Sequence, residues 1–187
     1  MRNLSKSDKY WKIFVLIILV LATGWIVVSS LFFATTEEKN TLAAPRTGFQ
    51  APDFQLSTED GQSIHLAELQ GKPIILNFWA SWCLPCKAEM PALEKIHKRY
   101  ADQVIVLGVN NTAGDHQPIA SRFLRENAIT FLKVWDLDGS VTSRYRVNAL
   151  PTTFFLDRNG QIQNVIIGGP MSETLLITEV EKLSQGE

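Results

Sequence analysis

Cysteine is scarce in this chain: two residues among 187, with only three histidines and a net charge of −1. Two cysteines cannot make a disulfide-rich scaffold, and they fall short of a four-cysteine zinc site. His65, His97 and His116 are scattered, so they read as surface or locally hydrogen-bonded residues; neither a metal nor a cofactor is implied. The near-zero charge argues against a general nucleic-acid binder. The composition, 20% charged and 45% hydrophobic, is not that of a wholly disordered chain. At roughly 150 residues per domain, the length suits one folded domain with a real core plus something extra.

The small net charge is unevenly placed. Four basic residues (Arg2, Lys6, Lys9, Lys12) and one acid (Asp8) precede position 13, a net +3; the remaining 14 basic and 18 acidic residues give −4. Between them, residues 13–34 carry no charge. As a helix rising ~1.5 Å per residue this run spans ~33 Å, close to the ~30 Å hydrocarbon core of a bilayer. Thr23, Ser29 and Ser30 are tolerable there, because a helical hydroxyl can donate to a carbonyl one turn back. Tyr10 and Trp11 stand where interfacial aromatics belong, and Glu37 and Glu38 follow the run. The positive-inside rule then makes 1–12 a cytoplasmic basic head and 13–34 a single-pass transmembrane anchor in the cell membrane, with the C-terminal part extracytoplasmic. Cleavage near Thr41–Ala44 is the competing reading, although a signal peptide's apolar region is normally only about 7–15 residues. No cysteine follows the run closely, which excludes a lipoprotein anchor.

Residues 35–50 are polar, with Pro45 and Gly48 and no periodicity, and read as a linker; 51–187 is globular. Short alternating runs at 53–56 and 63–66 around Asp60-Gly61 predict a hairpin. The near-continuous apolar runs 74–79 and 104–109 predict strands buried on both faces. Thr152–Leu156 and 162–167 flank the turn signal Asp157-Arg158-Asn159-Gly160 and should pair antiparallel. Between them lie helical patterns. One covers 83–100 with Met90, Leu93, Ile96 and Tyr100 inward, and another 118–127 with Ile119, Phe123 and Leu124 inward. A C-terminal helix carries Leu176, Val180 and Leu183 behind a Ser172 cap. Pro91 should kink the first of these. The class is α/β, a mixed sheet covered by helices.

Cys83-Leu84-Pro85-Cys86 falls where the 74–79 strand gives way to the 83–100 helix. A helix N-terminus offers free N–H groups and partial positive charge, which favour a thiolate over a thiol. Cys83 is expected at the cap, exposed and nucleophilic, and Cys86 one turn on and more buried, able to resolve the mixed disulfide formed by Cys83. Pro85 sits in the first turn, where a missing N–H costs little. A zinc half-site lacks a second ligand pair, and a purely structural disulfide would close too small a loop to constrain the unfolded chain.

The stretch Asn77–Pro91, together with Gly71-Lys72-Pro73, Gly108-Val109-Asn110 and Leu150-Pro151-Thr152-Thr153-Phe154, resembles the membrane-anchored extracytoplasmic thioredoxin-like proteins of the ResA/TlpA type. The resemblance covers roughly 48–183. It implies a thioredoxin-like fold with an N-terminal hairpin extension and a central insert near 111–130. It also implies a cis Leu150–Pro151 bond facing the cysteines, whose backbone receives extended substrate. Where ordinary thioredoxins carry an acid before the motif this chain has Asn77, and Glu89, one turn after Cys86, is the carboxylate expected to tune the thiols and move protons. Trp82 is expected to contact substrate or shield the sulfurs, while Lys87 reads as a solvated charge. The activity implied is that of a protein-disulfide reductase acting on exported cysteine-containing proteins, such as apocytochrome c before haem attachment. Its electrons would come from a transmembrane thiol-transfer partner. A disulfide-forming oxidant and a copper-binding redox module are the alternatives. A peroxidase is disfavoured by Ala80, where such sites usually carry threonine.

Overall fold

The computed structural model describes residues 6–33 and 43–185, with side chains over 10–25 and 43–184. The chain divides into two compact units, Met1–Asn40 and Thr41–Glu187.

The first unit holds helix α1 (Lys6–Phe33). Its apolar side chains, Ile13, Leu16, Ile17 and Val20 among them, are exposed. The Thr23 hydroxyl donates to the Leu19 carbonyl at 2.9 Å, the back-bond that lets a polar side chain sit in an apolar helix. Among the described residues no helix is long and apolar enough to cross a membrane. The anchor expected over 13–34 runs past the last described side chain of this helix, Trp25; parts of the 1–12 head and of the 35–50 linker also lie outside the described residues.

The second unit is built on a seven-stranded mixed sheet. In chain order the strands are β1 (Gln55–Ser57), β2 (Ser63–His65), β3 (Ile74–Trp79), β4 (Ile105–Asn110), β5 (Leu132–Trp135), β6 (Thr152–Leu156) and β7 (Ile162–Ile167), arranged β2-β1-β5-β4-β3-β6-β7. Helix α2 (Leu84–Arg99) follows β3, α3 (Gln117–Glu126) follows β4, α4 (Ser140–Arg144) follows β5, and α5 (Glu173–Gln185) closes the chain. Both predicted hairpins form, β1 with β2 and β6 with β7, each antiparallel.

Strand β3 is buried along its whole length, and its period of two separates the two cores. Ile74, Leu76 and Phe78 join Phe154, Leu156, Val109 and Tyr145 on one face. Ile75 and Trp79 face the other way and pack with Met90, Leu93 and Ile96 of α2 and Leu176, Val180 and Leu183 of α5. Ser172 caps α5 as expected, its Oγ accepting from the Leu175 N–H at 3.2 Å. The same alternation turns Asn77, a polar residue, into the second core, beneath α2.

Helix α2 holds Pro91 within it and starts at Leu84 with Cys83 as its N-cap, the position expected for that cysteine. Two expectations change, and two further elements are present. In α3, Ala120 and Leu124, one turn apart, set the buried face with Ser121, while Ile119 is 54% exposed. Residues 43–50 are not a free tether: the Gly48 N–H donates to the Ile162 carbonyl and the Ile162 N–H to Phe49, fastening this segment to β7. Strand β5 and helix α4 were not anticipated; the buried carboxylate of Asp136 starts α4 by accepting from the backbone N–H groups of Val141 and Thr142.

Candidate active site

Cys83 and Cys86 are joined in a disulfide at the start of α2. Cys83 is the helix N-cap, and its Sγ accepts from the Cys86 N–H at 3.2 Å. One free amide of the helix terminus is thus aimed at the Cys83 sulfur, the interaction that stabilises negative charge there. Pro85 occupies the first helical turn, where its ring imposes a helical φ and no N–H is missed. The expected asymmetry of exposure is not seen: Cys86 is fully buried, and Cys83 is only 4% exposed. Bonded to each other, both sulfurs turn toward the core that includes Met90, Met171 and Leu150.

Register brings the second half of the site alongside. Strand β6 pairs antiparallel with β3, placing Thr152 opposite Phe78 and Thr153 opposite Asn77. The turn before β6 therefore lies at the end of β3 from which the cysteines emerge. The Leu150–Pro151 peptide is cis; Pro151 is buried and Leu150 half-buried against the cysteine-containing core.

Glu89 is fully buried. Its Oε1 accepts from Asn77 Nδ2 at 2.8 Å and its Oε2 from the Met171 N–H at 3.0 Å. Asn77 Nδ2 also donates to Thr153 Oγ1 at 2.9 Å, while its Oδ1 has no partner among the described residues. Loss of water raises the Glu89 pKa, the two hydrogen bonds oppose it, and the balance settles at about 7. Against the same carboxylate lies Gly169. A Cβ there would stand 2.6 Å from Glu89 Oε2 and 2.7 Å from Pro151 Cγ, so only glycine lets the segment after β7 approach both. Glu89 and Pro151 thus meet at Gly169.

Trp79 is in the core; of the remaining expected residues, Trp82 is 60% exposed beside Cys83, its Nε1 donating to the Gly114 carbonyl at 2.7 Å. Lys87 lies over the Phe123 ring. His65 pairs with Asp53, His97 packs edge-on to Phe131, and His116 is the N-cap residue of α3. Among the described residues no group of three or more His, Cys, Asp or Glu side chains could hold a metal. Two participants escaped the sequence reading. Gly169 is signalled there only by the Gly168-Gly169-Pro170 run, and Asp115, bonded to Ser81, carries no motif.

A mixed sheet whose central strand delivers a Cys-x-x-Cys pair to a helix N-terminus, beside a cis-proline turn, defines a thioredoxin-like thiol-disulfide oxidoreductase. The chain belongs to the AhpC/TSA family, whose model matches residues 47–165. It is 40% identical over 154 residues to thioredoxin-like protein YneN of Bacillus subtilis, covering 82% of this chain and 86% of the relative. To thiol-disulfide oxidoreductase ResA of Bacillus subtilis it is 31% identical over 174 residues, 92% of each chain. Among solved structures it is similar to StoA from Bacillus subtilis, with a TM-score of 0.61 and 32% identity over 68% of this chain and 96% of that one.

Proposed function

We propose that this protein is a membrane-tethered, extracytoplasmic reductase of disulfides in exported proteins, with Cys83 as nucleophile and Cys86 as resolving thiol. The observation that carries the reading is the placement of Cys83 as N-cap of α2 with the Cys86 amide on its sulfur. In the reduced protein the Cys83 thiolate attacks one sulfur of a substrate disulfide. A mixed disulfide forms and the other substrate sulfur leaves as a thiol. Cys86 then gives up its proton and attacks Cys83 Sγ, releasing the second substrate thiol and closing Cys83–Cys86. The substrate gains two electrons and the protein loses two, so a donor dithiol must reopen the bond. A transmembrane thiol-transfer partner fits that need, and tethering raises its effective concentration.

Glu89 takes the Cys86 proton in this scheme. A carboxyl titrating at about 7 exchanges protons readily at neutral pH, and it lies one helical turn beyond Cys86. Leu150 and Pro151 offer the backbone edge on which an extended substrate pairs. Trp82 and Pro85, next to the cysteines in the chain, are assigned to substrate contact with them. The anchor reading is supported by the uncharged run 13–34, the basic head before it and the exposed apolar side chains of α1. Apocytochrome c enters as a substrate through the resemblance to ResA-type proteins.

The test is trapping. A Cys86→Ala variant holds exported proteins on Cys83 as mixed disulfides that reductant releases; capture by Cys86→Ala no greater than by Cys83→Ala would sink the mechanism. The reduction potential fixes direction: a value near thioredoxin's ~−270 mV supports a reductase, and one near ~−120 mV an oxidant.

A further inference from the structure

The Asp115 carboxylate helps fasten the turn that carries Cys83 to the segment after β4. Asp115 Oδ2 accepts from the Ser81 N–H at 2.6 Å and from Asn110 Nδ2 at 2.8 Å. Its Oδ1 accepts from the Ser81 hydroxyl at 2.5 Å and from the His116 N–H at 2.7 Å. Ser81 and Asn110 are both buried. Partial burial raises the Asp115 pKa, but the hydrogen bonds from Asn110, Ser81 and His116 outweigh it and hold the group below the usual carboxylate range, so it is ionised at neutral pH. The residue before Asp115 supplies the carbonyl that receives Trp82 Nε1, and the Asn111 N–H donates to the Trp79 carbonyl at 3.0 Å. Asn110–Asp115 and Trp79–Trp82 are thereby laced together along their length.

We infer that Asp115 is a positioning residue for protein substrates: its carboxylate locks Gly114 against the Ser81–Trp82 turn, so that the exposed Trp82 indole stands as a fixed wall beside the disulfide. Charge-assisted hydrogen bonds are the strong ones, and four converge on this group. A large aromatic held rigid before binding loses little freedom on contact, which is why such side chains dominate binding energy. The wall matters for a polypeptide that extends past the sulfurs and much less for a small dithiol. The inference rests on the reading that Cys83 attacks disulfides of proteins.

The test is steady-state reduction of insulin disulfides by the full-length protein, with dithiothreitol as electron donor. Asp115→Asn keeps the size and loses the charge; its KM for insulin is expected to rise about fivefold, with kcat changed less than twofold. A folded Asp115→Asn with unchanged KM overturns the inference, and so does a variant in which kcat and thermal stability fall while KM stays put. Ser81→Ala decides the case if Asp115→Asn does not fold. It removes only the hydroxyl that donates to Asp115 Oδ1 and leaves the Trp82 ring intact, and a KM raised about twofold supports the wall while an unchanged KM overturns it. Wild-type protein that reduces no insulin overturns the reductase reading and this inference together; active wild type with an indifferent variant overturns this inference alone.

Discussion

Asn77 Nδ2 donates to Glu89 Oε1 at 2.8 Å, joining the strand position that lacks an acid to the helix position that has one. The carboxylate comes from α2, and the asparagine on β3 serves as its donor. This pairing makes the ionisation of Glu89 adjustable from β3.

Replacing Glu89 by Gln removes the titrating group while keeping its size. The pH–rate profile of disulfide exchange in the wild type should bend at about pH 7, the Glu89 value. In Glu89→Gln the bend disappears and the rate at neutral pH falls, by about tenfold or more if the group acts as general base. An identical profile in the two proteins rules the role out.

Asn77→Asp has the opposite character. It replaces a donor by a second carboxylate within hydrogen-bond distance of the first, and two such groups cannot both ionise easily. The bend should move upward from about 7 by roughly one unit or more, whereas an unmoved or lowered midpoint contradicts the geometry.

The raised pKa also predicts how stability varies with pH. Glu89 ionises at about 7 in the folded protein against an ordinary value of 4.5. Over that window the folded state holds a proton that the unfolded state has released, so the stabilising contribution is complete below about 4.5 and is lost as pH rises to 7. The difference amounts to roughly 3 kcal/mol. Urea unfolding of the oxidised protein at pH 5 and pH 8 should show a decline that Glu89→Gln lacks; equal declines in both would assign it to other groups.

Gly169→Ala tests the contact between the segment after β7 and the site. The added methyl has no room between Glu89 Oε2 and Pro151 Cγ. Overpacking of this kind costs about 1–3 kcal/mol. The variant should melt lower and, because Met171 is carried away from Glu89, show an upward-shifted bend in its pH–rate profile. Normal melting with a normal profile would mean that the segment yields without consequence.

Much of this was legible in the chain itself. Ile74–Trp79 is too apolar to be anything but a doubly buried strand, and Cys83-Leu84-Pro85-Cys86 directly after it had to fall at a strand–helix junction. Glu89 was legible as a carboxylate one turn from Cys86. Its bond to Asn77 was not, because it depends on which face of β3 lies under α2. Asp115 is 34 residues from Ser81, and no local pattern announces a hydrogen bond of that span. Leu132–Trp135 is a four-residue strand, half of it only partly buried, too short for a period to stand out. Cys83 was expected exposed because a helix cap in isolation faces solvent; its burial to 4% is set by packing within the core around it, which no local pattern shows.

The sheet order has a bearing on how the protein fails under stress. Strand β3 has partners on both sides, whereas β1 meets β5 at the single pair Ser57↔Trp135. The amide hydrogens of 75–79 should therefore exchange with solvent only when the whole domain opens, and those of β1 and β2 through cheap local excursions. Heat, denaturant or a protease would peel away the hairpin rim long before the segment holding the sulfurs lost its place, so damage begins far from the chemistry and reaches it last.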